Sequence, residues 1–241
     1  MSLRTEQAYL GWIRRYIRYH GRRHPLDLSE LEIVDYLTHI AERGAVTRST
    51  QMQALSALLF LYREVLGRPV GDLRAVVRAR APTRLPVVLS RDEVRSLLAA
   101  LRSDVQLVAL LLYGSGLRLQ EALSLRVKDV DFARREILVR RGKGGHDRVT
   151  MLPQSAAELL RRKLALVQRL HARDVAAGGG RVDLPDALAR KAPSWAAELA
   201  WQWVYPARRR YTDAVTGESR RHHLHETVIQ REVRRAVLEA G

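Results

Sequence analysis

The sequence contains no cysteine, and this absence excludes a disulfide framework and every metal site that depends on thiolate ligands. No apolar run approaches the ~20 residues that are needed to span a bilayer. The N-terminus also lacks the apolar core of a signal peptide. Together these absences predict a cytoplasmic protein that makes no contact with membranes.

Positive charge, by contrast, is abundant. The 241 residues include 42 Lys and Arg against 26 Asp and Glu, which gives a formal net charge of +16. Such an excess is typical of a protein with a polyanionic partner, and it favours nucleic acid over an anionic membrane surface. Because only four of the 42 cations are lysines, a gene rich in G and C is an alternative source of the arginines. Hydrophobic residues make up 46% of the chain, so we expect a globular protein with buried cores.

Residues 1–74 are predicted to form a compact helical unit. Helical periodicity runs over residues 5–19. Ser29 and Glu32 have the spacing of a capping box and open a second helix. The apolar positions of this second helix are Leu31, Val34, Tyr36, Leu37 and Ile40. A third helix carries apolar side chains at three- and four-residue steps, at Met52, Leu55, Leu58, Leu59, Tyr62, Val65 and Leu66.

Residues 75–88 contain two prolines and show no periodicity, which predicts an extended linker. Ser90 and Glu93 form a second capping box and start a unit spanning residues 89–241. The patterns predict helices at about 91–101, 104–113, 155–176, 194–204 and 226–240, and a short helix after Arg118. They also predict strands at 136–139 and 148–152 and a C-terminal cap at Gly241. Residues 181–221 are otherwise irregular, and we call them the insert. The predicted fold class is mainly α with a small β-sheet (α+β).

The stretch YGSGLRLQE, residues 113–121, is the first candidate site. An arginine beside a glycine turn, close to a helix start, can donate two hydrogen bonds to a phosphate while nearby backbone N–H groups add positive potential. Arg118 has this position, and Glu121 lies one helical turn later, where it could support the guanidinium. On spacing alone, a plain ion pair at a domain edge is the more common arrangement.

Lys143 lies in RRGKGGHD, residues 140–147, the predicted turn between the two strands. Its flanking glycines allow the loop to approach a ligand, and its amine could donate a proton, although a solvated turn lysine is more usual. The loop lacks the Gly-x-x-x-x-Gly-Lys-Ser/Thr pattern of a nucleotide-binding loop. We therefore predict no ATP and no other cofactor.

Two groups of residues are predicted to bind nucleic acid. The first is the arginine-rich face of RRYIRYHGRR, with Arg14, Arg15, Arg18, Arg22 and Arg23. The second lies in the insert and its end, where aromatic rings, arginines and histidines are interleaved, at Trp201, Trp203, Arg208, Arg209, Arg210, His222 and His223. A solvated helix face and core packing of the indoles are the alternatives. The histidine cluster lacks the partners of a zinc site, so no metal site is predicted.

The sequence resembles the tyrosine recombinases of the phage integrase family, and within them the integron integrases, over nearly its whole length. The resemblance lies in RTEQAYLGWIRRYIRYHGRRHP, STQMQALSALLFLYREVLG, RLPVVLSRDEVRSLLAAL, LLYGSGLRLQEALSLRVKDVDF and RRGKGGHDRVTMLP. The segment LARKAPSWAAELAWQWVYP, followed by RRHHLH, is similar to the additional segment of integron integrases. This resemblance implies an N-terminal SAM-like core-binding domain and a catalytic domain that clamp DNA and recombine it through a 3′-phosphotyrosine intermediate.

The resemblance also implies roles for individual residues. Arg118 would stabilise the charge on the scissile phosphate, Lys143 would protonate the leaving 5′ oxygen, and Glu121 would support Arg118. The two cations would converge on one phosphodiester. The insert would hold bases that bulge from a folded single-stranded cassette site, double-stranded integron sites would be the other DNA partner, and protomers would oligomerise on DNA. Two departures are Ala214, where proline is expected, and His146, where lysine is more usual.

The family pattern continues with a His-x-x-Arg motif, a further His or Trp and the nucleophilic tyrosine, and the sequence reaches Gly241 before any of them. No other tyrosine is a convincing replacement. We therefore expect a truncated polypeptide that is inactive in DNA cleavage. The alternative function is that of a non-catalytic DNA-binding protein that occupies or blocks recombination sites.

Overall fold

The computed structural model describes residues 3–43, 46–71, 73, 75–79, 87–140 and 146–239. The chain divides into two compact units, Met1–Val87 and Val88–Gly241. Both are dominated by helices, and the second also contains small antiparallel sheets, which confirms the predicted fold class. No helix in the described ranges is both long enough and apolar enough to cross a membrane.

The first unit is built from helices that pack on a shared core. They are α1 (Leu3–Tyr19), α2 (Glu30–Glu42) and α3 (Arg48–Phe60). A 3-10 turn (Pro25–Asp27) precedes α2, and α3 continues as a π-helical turn (Leu61–Val65). The predicted capping box of α2 is confirmed, since Glu32 accepts a hydrogen bond from the Ser29 backbone N–H at 2.7 Å. Helix α3 packs against both α1 and α2 and so forms the centre of the unit.

The core of the first unit contains a buried pair of tyrosines. The hydroxyl groups of Tyr16 and Tyr62 lie 2.9 Å apart, and Tyr62 donates to the Pro25 carbonyl at 3.0 Å. These bonds give both buried phenol groups a hydrogen-bond partner, without which their burial would cost stability. The predicted periodicity was wrong at Leu31, Met52 and Val65, which are exposed, whereas Ile33, Gln51 and Ala54 are buried. The periodicity was correct at five other positions, which are buried as predicted, namely Tyr36, Leu37, Ile40, Leu58 and Tyr62.

The second unit begins with helices α4 (Arg91–Ala100), α5 (Ser103–Ser115) and α6 (Leu119–Leu123). The capping box of α4 is confirmed, with the Ser90 N–H donating to Glu93 at 2.6 Å. A three-stranded antiparallel sheet follows, in the order β1 (Val130–Asp131), β2 (Glu136–Val139) and β3 (Arg148–Met151). The sequence patterns predicted the two longer strands and missed β1, which is only two residues long. Helix α7 (Gln154–Ala176) then packs on α5.

The insert differs from its prediction. Residues 194–204 do not form the single α-helix that was predicted; they contribute to two short 3-10 helices (Pro193–Ala197 and Leu199–Trp201) followed by extended chain. The extended part pairs with the segment after α6, because Val204 N–H donates to the Leu125 carbonyl at 2.9 Å and Val127 N–H donates to the Gln202 carbonyl at 3.0 Å. These long-range backbone bonds replace the local bonds that a helix would make.

The remaining elements are short, apart from the last helix. Helix α8 (Asp186–Lys191) and a two-stranded hairpin, β4 (Tyr211–Thr212) and β5 (Ser219–Arg220), were not predicted. Helix α9 (Glu226–Glu239) was predicted and packs against α4, α5 and α6. The predicted cap at Gly241 lies outside the described residues.

Candidate DNA-binding and phosphate site

The turn that precedes Arg118 is fixed by its packing. Helix α5 ends at Ser115, and Gly116 has a φ of 64°, a left-handed conformation that favours glycine. Thr150 of β3 donates to the Ser115 carbonyl at 2.8 Å. A Cβ placed on Gly114 would lie 2.5 Å from Cγ of Pro153, so the helix end and the chain after β3 are in close contact. The glycines therefore allow the turn to pack tightly against the sheet.

Arg118 and Glu121 contact each other as their spacing suggested. The Arg118 backbone N–H donates to Glu121 Oε2 at 2.8 Å, and its Nη1 donates to Oε1 at 2.7 Å. The Arg118 side chain is 57% exposed, whereas that of Glu121 is 8% exposed. Arg118 is thus anchored by a buried carboxylate while more than half of its side-chain surface is exposed to solvent.

A second arginine, which the sequence analysis did not single out, binds the same carboxylate. Arg148 of β3 donates from Nη1 to Oε1 at 2.8 Å and from Nη2 to Oε2 at 2.7 Å. The hydrogen bonds from Arg148, with those from Arg118, lower the pKa of Glu121 to about 2, against the opposing effect of burial. Because Arg148 lies 27 residues from Glu121, no local pattern in the sequence indicates this contact.

Lys143, the other predicted catalytic residue, lies outside the described residues. The strands on either side of its loop are antiparallel neighbours, with Val139 paired to Arg148. This pairing is the one that the hairpin prediction requires.

A cavity of about 570 Å³ lies in the insert region, and its walls include Arg126, Asp183, Trp201, Trp203, His222 and His223. The guanidinium of Arg126 is 3.8 Å from the ring centroid of Trp203. Arg126 also donates to the Trp201 carbonyl at 2.6 Å and to the Asp183 carbonyl at 2.7 Å. Its buried side chain therefore ties the segment after α6 to the insert, a role that the sequence analysis missed.

The two predicted stacking residues, Trp201 and Trp203, are buried. Trp203 donates its indole N–H to the Arg221 carbonyl at 3.1 Å. Trp201 stacks on Trp195, with ring centroids 5.4 Å apart, and Lys128 Nζ lies 3.0 Å from its ring centroid. Core packing, the alternative to base stacking, thus accounts for most of the surface of both rings.

The two predicted histidines lie together at the cavity. The rings of His222 and His223 have centroids 4.1 Å apart, and His223 also makes an edge contact with Trp203. Burial lowers the pKa of His223. Its Nδ1 lies 2.8 Å from the Leu224 carbonyl, which makes Nδ1 the protonated nitrogen of the neutral ring. Within the described ranges, no three His, Asp or Glu side chains are arranged to hold a metal ion.

The predicted arginines are placed where a polyanion could reach them. Side chains at all eight positions are exposed, namely Arg14, Arg15, Arg18, Arg22, Arg23, Arg208, Arg209 and Arg210. Arg15 stacks over Trp12 at 4.8 Å. Arg23 donates to the Asp27 carbonyl at 2.7 Å, so part of its donor capacity serves the helix connection. Arg14, Arg15 and Arg18 lie in α1 and Arg22 follows it, and the sequence from Arg14 to Arg23 contains no acidic residue.

Comparison with known families defines the class of this protein. The profile described as "Phage integrase, N-terminal SAM-like domain" matches residues 1–72, and the profile described as "Phage integrase family" matches residues 87–241. The chain belongs to the phage integrase family of tyrosine recombinases.

Individual relatives agree with this assignment. The chain is 46% identical over 240 residues to proteins described as "Integrase/recombinase" from Escherichia coli and from Pseudomonas aeruginosa, covering 100% of this chain and 71% of each relative. It is 33% identical over 163 residues to tyrosine recombinase XerA of Thermococcus kodakarensis, covering 66% of this chain and 55% of that protein.

Among solved structures, the Tn1549 transposon integrase in complex with transposon right end DNA has a TM-score of 0.54 and 18% identity, covering 69% of this chain and 61% of that one. The XerH site-specific recombinase bound to palindromic difH substrate has a TM-score of 0.50 and 21% identity, covering 66% and 52%. At these identities the two structures support the fold.

Proposed function

We propose that this chain is a DNA-binding, site-specific recombinase of the integron integrase type, which acts in the cytoplasm on folded single-stranded cassette sites and on double-stranded integron sites. The observation that carries the proposal is the arrangement at the glycine turn, where a buried carboxylate holds Arg118 while more than half of the Arg118 side chain is exposed to solvent. DNA is named in the description of the Tn1549 transposon integrase complex, and the net charge of +16 suits the same partner.

Arg118 is the proposed clamp for the scissile phosphate. A guanidinium has five N–H donors in a planar fork that matches two phosphate oxygens. One Nη1 hydrogen of Arg118 is used by Glu121, and we propose that the remaining side-chain donors bind the phosphate. In phosphoryl transfer such a group stabilises the charge that develops on the equatorial oxygens. Lys143 is the proposed acid for the leaving 5′ oxygen, and the chemistry requires neither metal nor other cofactor.

The cavity of the insert is the proposed site for an unpaired base. Its volume of about 570 Å³ is ample for one nucleobase, and indole and imidazole edges line it. Because Trp201 and Trp203 are buried, we propose that they form the walls of the cavity, and that His222 and His223 supply the polar contacts. The exposed cations Arg208, Arg209 and Arg210 then bind the backbone beside the base.

The polypeptide of residues 1–241 is proposed to bind DNA without forming a phosphotyrosine bond. In the second unit, Tyr205 is fully buried. Tyr211 donates to Asp183 at 2.6 Å, and burial together with this bond raises the pKa of Tyr211 to about 12. Tyr113 is exposed on the surface of α5. Its described contacts include no base that would activate its hydroxyl. Oligomers on DNA are proposed for the complete reaction.

In the first step of the test, the purified polypeptide is used to select the hairpins that it binds from a pool of DNA hairpins with randomised stems and bulges. Hairpins that retain unpaired bases should bind about 5–150-fold more tightly than fully paired versions of the same stem, given typical stacking free energies. Arg118→Ala should weaken binding about tenfold. The exposed Arg162→Ala on α7 is the matched control and should leave binding unchanged. Equal affinity for bulged and paired hairpins would remove the integron assignment, and a denaturation-resistant protein–DNA species would contradict the expected lack of an adduct.

A second function is that of a protein that occupies recombination sites without cutting them. The positions of Tyr205 and Tyr211 favour this alternative for the polypeptide of residues 1–241. A protein that only occupies sites needs its basic faces but no phosphate clamp. In that case Arg118→Ala and Lys143→Ala should leave the affinity for the selected hairpin nearly unchanged.

A further inference from the structure

Glu121 receives four N–H bonds, two on each carboxylate oxygen. Arg118 supplies its backbone N–H and one Nη1 hydrogen, and Arg148 supplies two side-chain hydrogens in a bidentate arrangement. The acceptor capacity of the carboxylate is therefore filled. Arg148 makes the two-point contact, and Arg118 makes a one-point side-chain contact.

This difference decides where the positive charge of Arg118 is directed. A buried carboxylate needs a cation, because leaving it unpaired in the interior is costly. If Arg118 were the only cation next to Glu121, its guanidinium would be drawn into a full ion pair and the pair would be neutral. With Arg148 present, two guanidinium groups share one carboxylate, and the three side chains carry a net charge of +1.

We infer that Arg148 is a positioning residue that neutralises Glu121, so that Arg118 keeps its charge and its remaining N–H donors for a DNA phosphate. This inference rests on the proposed clamp. Arg148 is suited to the task because it is fixed in the ladder opposite Val139 and its side chain is only 36% exposed, against 57% for Arg118. The more exposed guanidinium faces the ligand, and the less exposed one holds the carboxylate.

The experiment is a scan of single methylphosphonate substitutions along a hairpin selected as described above. Each substitution removes the charge of one phosphate. For the unmodified polypeptide, one position should lose about tenfold in affinity, and Arg118→Ala should abolish that loss. The loss at this position measures the coupling between Arg118 and its phosphate.

Arg148→Gln should reduce the coupling to about onefold, because Arg118 is then drawn to Glu121. The double variant Arg148→Gln with Glu121→Gln has no unpaired buried charge, so it should fold. The amide that replaces the carboxylate can still accept a hydrogen bond from Arg118 but carries no negative charge, so this variant should recover part of the coupling, above that of Arg148→Gln. Arg162→Gln removes the same formal charge from an exposed site and should leave the coupling intact. A role in folding alone would not predict recovery in the double variant.

The outcomes separate the two proposals. If no phosphate shows a loss that depends on Arg118, the clamp itself is wrong. If such a phosphate exists and Arg148→Gln retains full coupling, the clamp stands and the inference on Arg148 is overturned. If Glu121→Gln alone keeps the coupling and the folded double variant does not, neutralisation is also overturned, and this comparison remains available even if Arg148→Gln by itself does not fold.

Discussion

The buried ion pair between Arg221 and Asp174 gives the sharpest prediction on stability. Arg221 Nε donates to Asp174 Oδ2 at 2.7 Å, and Nη2 donates to Oδ1 at 2.8 Å. The side chains are 8% and 10% exposed. Nη1 also donates to the carbonyls of Ala207 and Arg208, at 2.6 and 2.9 Å. One side chain thus joins the last turns of α7 to both ends of the segment that carries β4 and β5.

The expected magnitude follows from the loss of one partner. Arg221→Ala leaves the Asp174 carboxylate buried without a cation, which typically costs about 3–5 kcal/mol. Asp174→Ala with Arg221→Ala removes both charges and leaves two backbone carbonyls without their donor, at about 1–3 kcal/mol. The double variant should therefore be more stable than Arg221→Ala, although it lacks one more native side chain.

Differential scanning calorimetry of the whole chain measures these differences. For a unit of this size, about 2–4 °C per kcal/mol predicts that Arg221→Ala lowers the Tm of the second unit by roughly 6–20 °C. Arg162→Ala, which removes an exposed pair with Glu158, should shift it by less than about 2 °C. A shift from Arg221→Ala as small as that of the control, or a double variant less stable than Arg221→Ala, would refute the reasoning.

Three further predictions concern other parts of the chain. The pKa of Glu121 is about 2, below its value in the unfolded chain, chiefly because of the hydrogen bonds from Arg148. These bonds therefore contribute stability above about pH 4.5, and this contribution is lost as the pH falls toward 2. Glu121→Gln should flatten this part of a curve of unfolding free energy against pH, measured by urea unfolding. Gly114→Ala should destabilise the protein by about 1–3 kcal/mol, because the added Cβ would lie 2.5 Å from a proline ring. Gly11→Ala, in α1 where an added Cβ has no atom within 4 Å, should stabilise the protein by up to about 1 kcal/mol. Equal Tm shifts for the two variants would contradict the packing argument. Gln51→Met should cost at least about 2 kcal/mol in chemical denaturation, since it removes hydrogen bonds from the buried Leu37 carbonyl and Ala79 N–H and from the partly exposed Val77 carbonyl. A neutral effect would show that water replaces these bonds.

Local patterns were sufficient to predict much of the fold. Both capping boxes, at Ser29 and Ser90, rest on two side chains three residues apart, and both form. The helix after Arg118 and the two longer strands were predicted for the same reason, because turn residues and periodicity act over a few positions. The contact between Arg118 and Glu121 belongs to this class, since it spans one helical turn.

Long-range contacts overturned or added to the rest. The pattern at residues 194–204 favoured a helix, but backbone pairing with Leu125 and Val127 holds its second half extended. The base-stacking role predicted for Trp201 and Trp203 depended on residue type alone. Residue type does not reveal that neighbouring cations and rings cover both indoles.

The sequence by itself determined the helical units, their starting points and the presence of an arginine at a glycine turn, because these depend on residues within about one turn of one another. The tertiary structure decided which groups share a carboxylate and which aromatic rings are covered. Arg148 and Glu121 are 27 residues apart, and Arg221 and Asp174 are 47 apart. Only the pairing of strands and the packing of helices bring such charges within 3 Å, and that proximity sets their effect on stability and on binding.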